Sequence, residues 1–369
     1  MSDKLIRVAV IGTRGVPAAY GGFESMVENL LGENCPDDIR YTVFCSRPDQ
    51  TSHPATYKGA ELRYVPLRAN GIQSIPYDML SMARCLRGYD VILVLGVSGC
   101  LALPLLRRFT QAKIIVNIDG LEHKRDKWGN AARRILLASE RTAVRAADVV
   151  VADNEGIAEY VRTTYRTDPV VIAYGGDQAV RTVSDADADA TLASYGVTRG
   201  GYAMGVCRIE PENNCHVVLE AFAGGDMPLV MVGNWEHSDY SRSLRQKFAS
   251  KRSLILANAE YDLDRLWALR SNAALYVHGH CAGGTNPSLV EAMHSGVPVA
   301  AFDVNYNRYT TAEAAAYFSD ASSLRAIVRS IPAKAGVALR EIARRRYTWR
   351  EISRQYTDLF RQVTSSTCK

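Results

Sequence analysis

The chain has 369 residues, of which 47% are hydrophobic and 22% are charged, and its formal net charge is +5. This length exceeds what one ordinary core accommodates and predicts two domains of about 150 to 200 residues each. The charge is small and basic residues are not interleaved with aromatic ones, which argues against a nucleic acid as the partner. A modest basic bias still suits an anionic substrate or a membrane surface.

The eight cysteines indicate a reducing compartment. They form no CxxC pair, are irregularly spaced, and in several cases lie in apolar runs where a thiol behaves as a small hydrophobic side chain. The first residues lead directly into a predicted strand rather than an apolar signal core, and no run of about 18 apolar residues occurs. We therefore expect a cytoplasmic protein without a membrane-spanning helix.

Short apolar runs alternate with helical patterns along the chain, which is typical of parallel sheets with crossover helices. In the first half, strands are predicted at residues 5–11, 41–45, 90–95, 113–118 and 148–152. Helices are predicted between them at residues 23–31, 77–86 and 130–146. In the second half, strands are predicted at residues 202–206, 229–232, 254–257, 274–278 and 297–302. The chain therefore repeats one α/β architecture.

A glycine turn at residues 174–178 and a polar run at residues 184–189 separate the two sets of strands, as expected of a domain boundary. The last predicted element, residues 347–363, is an amphipathic helix whose apolar side includes Trp349 and Phe360. Such a helix must bury its apolar side. We predict an N-terminal domain, a C-terminal domain and a closing helix at residues 1–178, 179–346 and 347–369.

A glycine-rich turn at residues 283–286 runs directly into a predicted helix that carries Glu291. Small, turn-forming residues let backbone N–H groups approach a ligand, and Pro287 suits the first turn of a helix. The unpaired amides and the helix dipole favour an anion at this point. Glu291, about one turn into the helix, could accept hydrogen bonds from two neighbouring ribose hydroxyls. The segment indicates a nucleotide-sugar site, although glycine turns before helices are common in α/β proteins.

The first predicted strand ends in a long glycine-bearing loop, residues 12–24, that opens the next helix. Gly12 and Gly15 are three residues apart, no third glycine lies at the required offset, and no acidic residue follows the second strand. The loop therefore lacks the dinucleotide-binding fingerprint, and it also lacks the lysine and Ser/Thr pair of a Walker motif. Its amides could still face an anion.

A dense polar segment follows the predicted strand at residues 113–118. Asp119, Glu122 and His123 lie where open α/β sheets place their ligands, and they could transfer protons or accept hydrogen bonds from hydroxyls. A solvated charged loop before the next helix is the alternative interpretation.

Arg208 follows the predicted strand at residues 202–206. A guanidinium in this position could bind a diphosphate in a bidentate manner. The alternative is a surface ion pair with Glu210 or Glu212.

His278 and His280 lie one residue apart at the end of a predicted strand. Two histidines so spaced could bind a metal ion, but no third ligand accompanies them at a suitable spacing. We therefore predict no metal site, and we assign the two side chains to hydrogen bonding or structure.

The order of these motifs resembles that of the family 4 nucleotide-sugar glycosyltransferases, and more closely their bacterial rhamnosyltransferase-type branch, known from capsule and exopolysaccharide assembly. The most specific pieces are residues 12–24, GTRGVPAAYGGFE, and residues 278–288, HGHCAGGTNPS. The resemblance covers essentially the whole chain. It implies an α/β fold of the GT-B type, in which two Rossmann-like domains with parallel sheets face each other across a cleft and a C-terminal helix crosses back to the N-terminal domain.

The resemblance also implies roles for individual residues of the C-terminal domain, which would bind the donor. Glu291 would bind the ribose and Arg208 the diphosphate. The other donor-binding residues would be Asn213, Gly283, Gly284, Thr285 and Asn286.

In the N-terminal domain, the resemblance implies that the Gly21-Gly22 turn closes over the diphosphate and that Asp119 faces the sugar and the acceptor. Asp119 would join Arg208 and Glu291 as a catalytic residue. The acceptor side would include Arg14, Tyr20, Glu122 and His123.

Three positions depart from the family pattern. Most members carry a glutamate eight residues before the one that corresponds to Glu291, and this chain has Gly283 there. A lysine is common where this chain has Asn213, so another cation would have to bind the diphosphate. We interpret both changes as features of the branch. His123 stands where the branch has tryptophan, which leaves the details of the acceptor open.

The resemblance implies transfer of a sugar with retention of anomeric configuration, without a metal ion and without a cofactor other than the nucleotide-sugar substrate. We predict L-rhamnose, supplied as dTDP-rhamnose, and a polyprenyl-diphosphate-linked saccharide acceptor of bacterial surface polysaccharide synthesis. Two alternatives stay open. One is an enzyme that uses UDP-glucose or UDP-GlcNAc, and the other is a non-catalytic nucleotide-sugar-binding subunit of a transferase complex.

Peripheral contact with the inner face of the cell membrane is a further prediction. Residues 101–109 combine apolar and basic side chains, as membrane-surface segments do. The start of a buried helix is the alternative explanation.

Overall fold

The computed structural model describes residues 5–18, 21–118, 120 and 129–365. The chain divides into two compact units. The first comprises residues 1–174 together with residues 349–369, and the second comprises residues 175–348.

The first unit is built on one sheet of eight strands. They are β1 (Ile6–Ile11), β2 (Ile39–Ser46), β3 (Thr56–Tyr57), β4 (Ala60–Val65), β5 (Val91–Leu95), β6 (Lys113–Ile118), β7 (Val149–Ala152) and β8 (Val170–Val171). Their order across the sheet is β3-β4-β2-β1-β5-β6-β7-β8. All neighbours are parallel except β3 and β4, which form an antiparallel pair. Val8 of β1 lies opposite Tyr41 of β2 and Val91 of β5.

Helices connect these strands, so the central strands are buried on both faces and read as nearly continuous apolar runs. The helices of this part of the chain are α1 (Gly22–Leu30), α2 (Ser74–Arg84), α3 (Leu103–Leu106), α4 (Asn130–Ala146) and α5 (Glu155–Tyr165). All five residues of β5 are buried, as expected of a central strand that is covered on both faces.

The second unit contains a fully parallel sheet of six strands. They are β9 (Ala203–Val206), β10 (Leu229–Val232), β11 (Leu254–Ala257), β12 (Leu275–His278), β13 (Val299–Phe302) and β14 (Ala316–Phe318). The order is β11-β10-β9-β12-β13-β14. Strands β9 to β11 are added toward one side of the sheet and β12 to β14 toward the other, so the strand order reverses between β9 and β12, as in Rossmann-type sheets.

The helices of the second unit follow the same alternation. They are α6 (Asp185–Ser194), α7 (Cys215–Phe222), α8 (Asp239–Phe248), α9 (Leu263–Ser271), α10 (Pro287–Ser295), α11 (Asn305–Thr311), α12 (Ala321–Ser330) and α13 (Gly336–Arg346). The polar run at residues 184–189 begins α6, and Ser184 caps this helix by accepting a hydrogen bond from the backbone N–H of Asp187.

The final helix, α14 (Trp349–Ser365), packs into the core of the first unit. Its apolar side buries Tyr356 and Phe360 completely. The side-chain amide of Asn117 on β6 donates a hydrogen bond to the Tyr356 hydroxyl at 2.6 Å, so a buried polar pair fixes the helix against the sheet. The predicted amphipathic helix is present, and its apolar side is buried.

The structure also contains strands that the sequence pattern did not predict, among them β4 and β14. In β4 the charged side chains of Glu61 and Arg63 alternate with buried Ala60 and Leu62, so no continuous apolar run marks the strand. Among the helices of the described residues, none combines the length and the apolar composition needed to cross a bilayer.

Candidate functional site

Helix α10 of the second unit begins at the end of the glycine-rich turn, as predicted from Pro287. Asn286 caps the helix, because its side-chain oxygen accepts hydrogen bonds from the backbone N–H of Ser288 at 3.1 Å and from the Ser288 hydroxyl at 2.8 Å. Pro287 occupies the first turn, where a missing N–H costs nothing. The turn therefore leads into the positive end of a nine-residue helix dipole.

Gly283 gives the turn its shape. Its φ angle is +111°, a backbone conformation that residues with a Cβ rarely adopt, and a Cβ built there would meet no atom within 4 Å. The requirement for glycine thus comes from the backbone and not from crowding. A residue with a side chain, such as glutamate, would be strained in this turn.

Glu291 lies about one turn beyond the start of α10, and each of its carboxylate oxygens has a partner. Gln178 donates a hydrogen bond from Nε2 to Oε1 at 2.8 Å, and Arg270 donates from Nη2 to Oε2 at 2.9 Å. About a fifth of the Glu291 side chain is exposed. Burial raises the pKa of Glu291, and the charge of Arg270 and the two hydrogen bonds oppose this rise.

The partners of Glu291 come from two different segments. Arg270, near the end of α9, has a side chain that is 1% exposed. Gln178 belongs to a short turn, residues 177–179, that packs closely on α10. Gly176 makes this packing feasible, since a Cβ there would lie 2.8 Å from the carbonyl carbon of Val290.

Arg208 follows β9, as predicted, in an exposed position. Its guanidinium is 3.8 Å from the Glu210 carboxylate, so the surface ion pair considered as the alternative is present in a loose form. Asn213 is buried and donates a hydrogen bond from its side-chain amide to the Arg208 carbonyl at 2.7 Å. In place of a cation, this chain has a side chain that fixes the backbone of the Arg208 loop.

The loops that follow β9 and β12 are joined by hydrogen bonds. Asn214 donates from its amide to the Gly279 carbonyl at 2.9 Å, and the backbone N–H of Cys281 donates to the Glu212 carbonyl at 3.0 Å. Because β9 and β12 are neighbours, their carboxyl ends meet at the reversal point of the sheet. Ligands of open α/β sheets bind at such points.

His278, the last residue of β12, is almost completely buried, and neither of its ring nitrogens has a hydrogen-bond partner. Its ring stacks on that of His280 with centroids 4.3 Å apart. Burial, aided by the neighbouring His280, lowers the pKa of His278 well below its usual range, so the ring is neutral. In the described part of the chain, no group of three His, Cys, Asp or Glu side chains is arranged to hold a metal ion.

The glycine-bearing loop of the first unit is organised by Glu24 of α1. Its Oε1 accepts hydrogen bonds from the Thr13 hydroxyl at 3.0 Å and from the backbone N–H of Arg14 at 2.8 Å. Gly21 immediately precedes α1 with a φ of +132°, and a Cβ there would collide with the Glu24 carboxylate. Glycine at this position lets the carboxylate reach back to the loop.

A second carboxylate of α1 supports the same loop. Glu28 accepts hydrogen bonds from the backbone N–H of Ala18 at 2.5 Å and from the Tyr57 hydroxyl at 2.6 Å, and it pairs with Lys58 at 3.1 Å. Burial alone would raise the pKa of Glu28, but these partners outweigh it and lower the pKa. Arg14 contacts the side-chain amide of Asn70.

Within the second unit, the structure thus describes Arg208 and Asn213 on the loop after β9, and the turn at residues 283–286 and Glu291 on the segment after β12. It describes Arg14, Gly21 and Gly22 within the first unit. Four predicted residues lie outside the described residues: Tyr20, Asp119, Glu122 and His123.

Sequence reasoning missed Arg270 and Gln178, the two partners of Glu291. The available signal was weak: Arg270 ends an otherwise apolar stretch of α9, Leu266-Trp-Ala-Leu-Arg270, just before a buried strand. A charged residue in such a place indicates a buried partner, but nothing in the sequence says which one.

Comparisons with known proteins support the fold and part of the function. Residues 5–177 match a family described as "Domain of unknown function (DUF1972)", and residues 200–332 match "Glycosyl transferases group 1". The second unit thus carries a group 1 glycosyltransferase domain. A search among curated proteins finds no match.

Solved structures are similar over nearly the whole chain. Sucrose-phosphate synthase from Thermosynechococcus elongatus superposes with a TM-score of 0.81 at 19% identity, covering 98% of this chain and 100% of that one. Anabaena HepE in complex with UDP-glucose gives 0.75 at 15% identity, with 98% and 99% covered. The catalytic domain of starch synthase IV from Arabidopsis thaliana, bound to ADP and acarbose, gives 0.71 at 12% identity, with 98% and 100% covered. The predicted α/β class, with two Rossmann-like parallel-sheet domains of the GT-B type, is confirmed.

The hydrogen bonds of Glu24 lead to a prediction. Glu24→Ala leaves the Thr13 hydroxyl and the Arg14 amide without their acceptor, so the free energy of unfolding should fall by about 1 to 3 kcal/mol. The Arg14 amide should also exchange its hydrogen faster. Chemical denaturation and hydrogen exchange measure the two effects, and Glu33→Ala, at an exposed position nearby, is the control. An Arg14 amide with unchanged exchange would contradict the role of Glu24.

Proposed function

We propose that the protein is a glycosyltransferase that takes a sugar from a nucleotide-diphosphate donor bound to its second unit. One observation carries this proposal. Within the residues that match the group 1 glycosyltransferases, the loop after β9, which carries Arg208, is hydrogen-bonded at the reversal point of a parallel sheet to the loop after β12, which leads into the capped start of α10. An exposed guanidinium and a helix N-terminus there suit a diphosphate.

In the proposed complex, Glu291 accepts hydrogen bonds from the ribose, and the amides of Gly284, Thr285 and Asn286 face the phosphates and the sugar. Arg208 binds the diphosphate. Asn213 acts on this arrangement through the backbone, because its amide holds the Arg208 carbonyl. The resemblance to family 4 enzymes supports these assignments.

The chemistry that we propose is transfer with retention of anomeric configuration and without a metal ion. As the bond between the sugar and the diphosphate breaks, negative charge develops on the leaving diphosphate. The Arg208 guanidinium and the α10 dipole would stabilise this charge, and their contribution would be larger in the transition state than in the ground state. For Asp119, the proposed partner of the sugar and the acceptor, the support is the resemblance alone.

For the donor we propose dTDP-L-rhamnose, and for the acceptor a polyprenyl-diphosphate-linked saccharide of bacterial surface polysaccharide synthesis. Both follow from the likeness of residues 12–24 and 278–288 to the rhamnosyltransferase-type branch. The open space beside Gly283 is consistent with a branch that dispenses with the first motif glutamate.

A UDP-hexose donor is the second candidate, and two observations favour it. HepE, which is similar in fold, was solved in complex with UDP-glucose. Glu291 also offers two carboxylate oxygens, which suits the adjacent 2′ and 3′ hydroxyls of a ribonucleotide better than the single 3′ hydroxyl of dTDP.

Calorimetric titration of the purified protein with dTDP, UDP and GDP tests the proposal without requiring an acceptor. We expect one of the three nucleotides to bind clearly more tightly than the others. A preference for dTDP would support the rhamnose donor, and a preference for UDP would support the hexose donor. If none of the three binds, the proposed donor site is wrong.

Arg208→Ala should reduce turnover of the preferred nucleotide sugar by the loss of about 2 to 4 kcal/mol of transition-state stabilisation. Transfer to a lipid-linked acceptor, or the slow hydrolysis of the donor, would report the loss. Arg242→Ala is the matched control, because Arg242 is an exposed arginine of the same unit whose ion pair is with Asp239 on α8. Equal turnover in both variants would remove Arg208 from the mechanism.

We also propose that the first unit contacts the membrane surface through α3 and the neighbouring part of α4. Leu105 and Phe109 are each 62% exposed, and Ile135 is also exposed. The exposed cations Arg108 and Arg134 lie on the same two segments. Apolar side chains beside cations suit an anionic bilayer surface.

Flotation with liposomes tests this surface. The protein should float with liposomes that contain phosphatidylglycerol, and the double variant Leu105→Ser, Phe109→Ser should float much less. The control is Tyr261→Ser, which removes a side chain that is 74% exposed in the second unit. If the unmodified protein stays with the soluble fraction, the proposed membrane contact is wrong.

A further inference from the structure

The Glu291 carboxylate accepts a hydrogen bond on each of its two oxygens, from two different segments of the second unit. Gln178 occupies one oxygen and Arg270 the other. Each carboxylate oxygen has two lone pairs, so each can accept one more hydrogen bond. The partners therefore leave room for two hydroxyl donors while they fix the plane of the carboxylate.

Stability alone does not explain the pair. The Arg270 side chain is 1% exposed, and its Nε is buried without a hydrogen-bond partner. Removing a guanidinium from water costs free energy that a single ion pair repays poorly, and well-packed apolar side chains often serve as well. A buried, incompletely satisfied arginine indicates a functional requirement at its partner.

The charges around α10 distinguish Arg270 from its neighbours. The turn at 177–179 contributes Asp177, and α13 contributes Arg344, but both act on His294, three residues beyond Glu291. Arg340 of α13 lies beside Gly296, at the far end of the helix. On the sheet, the phenol of Tyr276 interacts with both Arg270 and Glu291, and it stays neutral because burial raises its pKa to about 12. Within the described residues, Arg270 is the cation that hydrogen-bonds to Glu291.

We propose that Arg270 and Gln178 are positioning residues, which keep Glu291 ionised and oriented to accept hydrogen bonds from the ribose hydroxyls of the donor nucleotide. This inference rests on the proposed donor site and adds the two residues on which that site depends. Neither residue needs to touch the nucleotide. Their effect passes through the charge and the orientation of one carboxylate.

The direction of the pH effect follows from burial. Burial already raises the pKa of Glu291, and Arg270 opposes that rise. Without Arg270 the pKa rises further, so the carboxylate takes up a proton at a higher pH as the pH falls. The neutral acid accepts hydroxyl hydrogen bonds less well than the carboxylate. The contribution of the ribose hydroxyls to binding should therefore disappear at a higher pH in Arg270→Met than in the unmodified protein.

The test is calorimetric binding of UDP and of 2′,3′-dideoxy-UDP between pH 5.5 and 8.5. Arg270→Met should weaken UDP binding about tenfold near neutral pH, the size expected for a lost hydrogen bond to a charged group, and should leave dideoxy-UDP binding nearly unchanged. Arg270→Lys should restore the pH midpoint, since it restores the charge. Arg265 lies on the same helix as Arg270, and Arg265→Met, which breaks an ion pair with Glu260 before that helix, should change neither ligand's binding.

The outcomes separate this inference from the proposed function. If the unmodified protein binds UDP and dideoxy-UDP equally, the ribose role of Glu291 is wrong, and this inference falls with it. Another outcome is that the unmodified protein binds UDP more tightly than dideoxy-UDP, and that Arg270→Met shows the same difference in affinity with the same pH midpoint of UDP binding. In that case only the role of Arg270 is wrong. Should Arg270→Met fail to fold, the Gln178→Leu variant provides the test. We expect it to weaken the binding of UDP and to leave the binding of dideoxy-UDP unchanged. Equal binding of UDP by Gln178→Leu and the unmodified protein would overturn the inference. A preference for dTDP would change the pair of ligands to dTDP and 3′-deoxy-dTDP.

Discussion

The parallel arrangement of the strands is the constraint on which the candidate site depends. Parallel neighbours require crossover helices, so every strand of the second unit ends at the same edge of the sheet. At the reversal between β9 and β12, the crossover helices leave in opposite directions and the edge stays open for a ligand. Residues as distant in sequence as Arg208 and Glu291 come to this edge because the topology allows few other places for loops that bind a ligand.

Both units stabilise a carboxylate near the start of a helix, and they do so by different means. Glu24 is held by a backbone amide and a hydroxyl, and its task is to shape the loop before α1. Glu291 is held by a guanidinium and an amide, and it retains lone pairs for other donors. Both hydrogen bonds to Glu24 fall on one oxygen, Oε1, whereas those to Glu291 are divided between its two oxygens. The two partners of Glu291 therefore fix the plane of its carboxylate, and the partners of Glu24 fix the loop that donates to it.

The strands with continuous apolar runs could be predicted closely from sequence, because burial on both faces leaves a plain signal. The predicted bounds of β6, β10 and β11 agree with the structure, and so do those of α4. The alternating pattern of β4 gave no such signal. The start of α10 could be predicted from Pro287, since proline is favoured in the first turn of a helix, where its missing N–H has no partner to lose. The partners of Glu291 were not readable, because Arg270 and Gln178 lie 21 and 113 residues away and meet it only after folding.

The backbone of Gly283 limits which residues can occupy position 283. A φ of +111° excludes residues with a side chain unless the whole turn changes its path. A residue with a side chain there would need the substitution and a remodelled loop together, since the substitution alone gives a strained turn. The residue at position 283 and the path of the turn into α10 can therefore change only together.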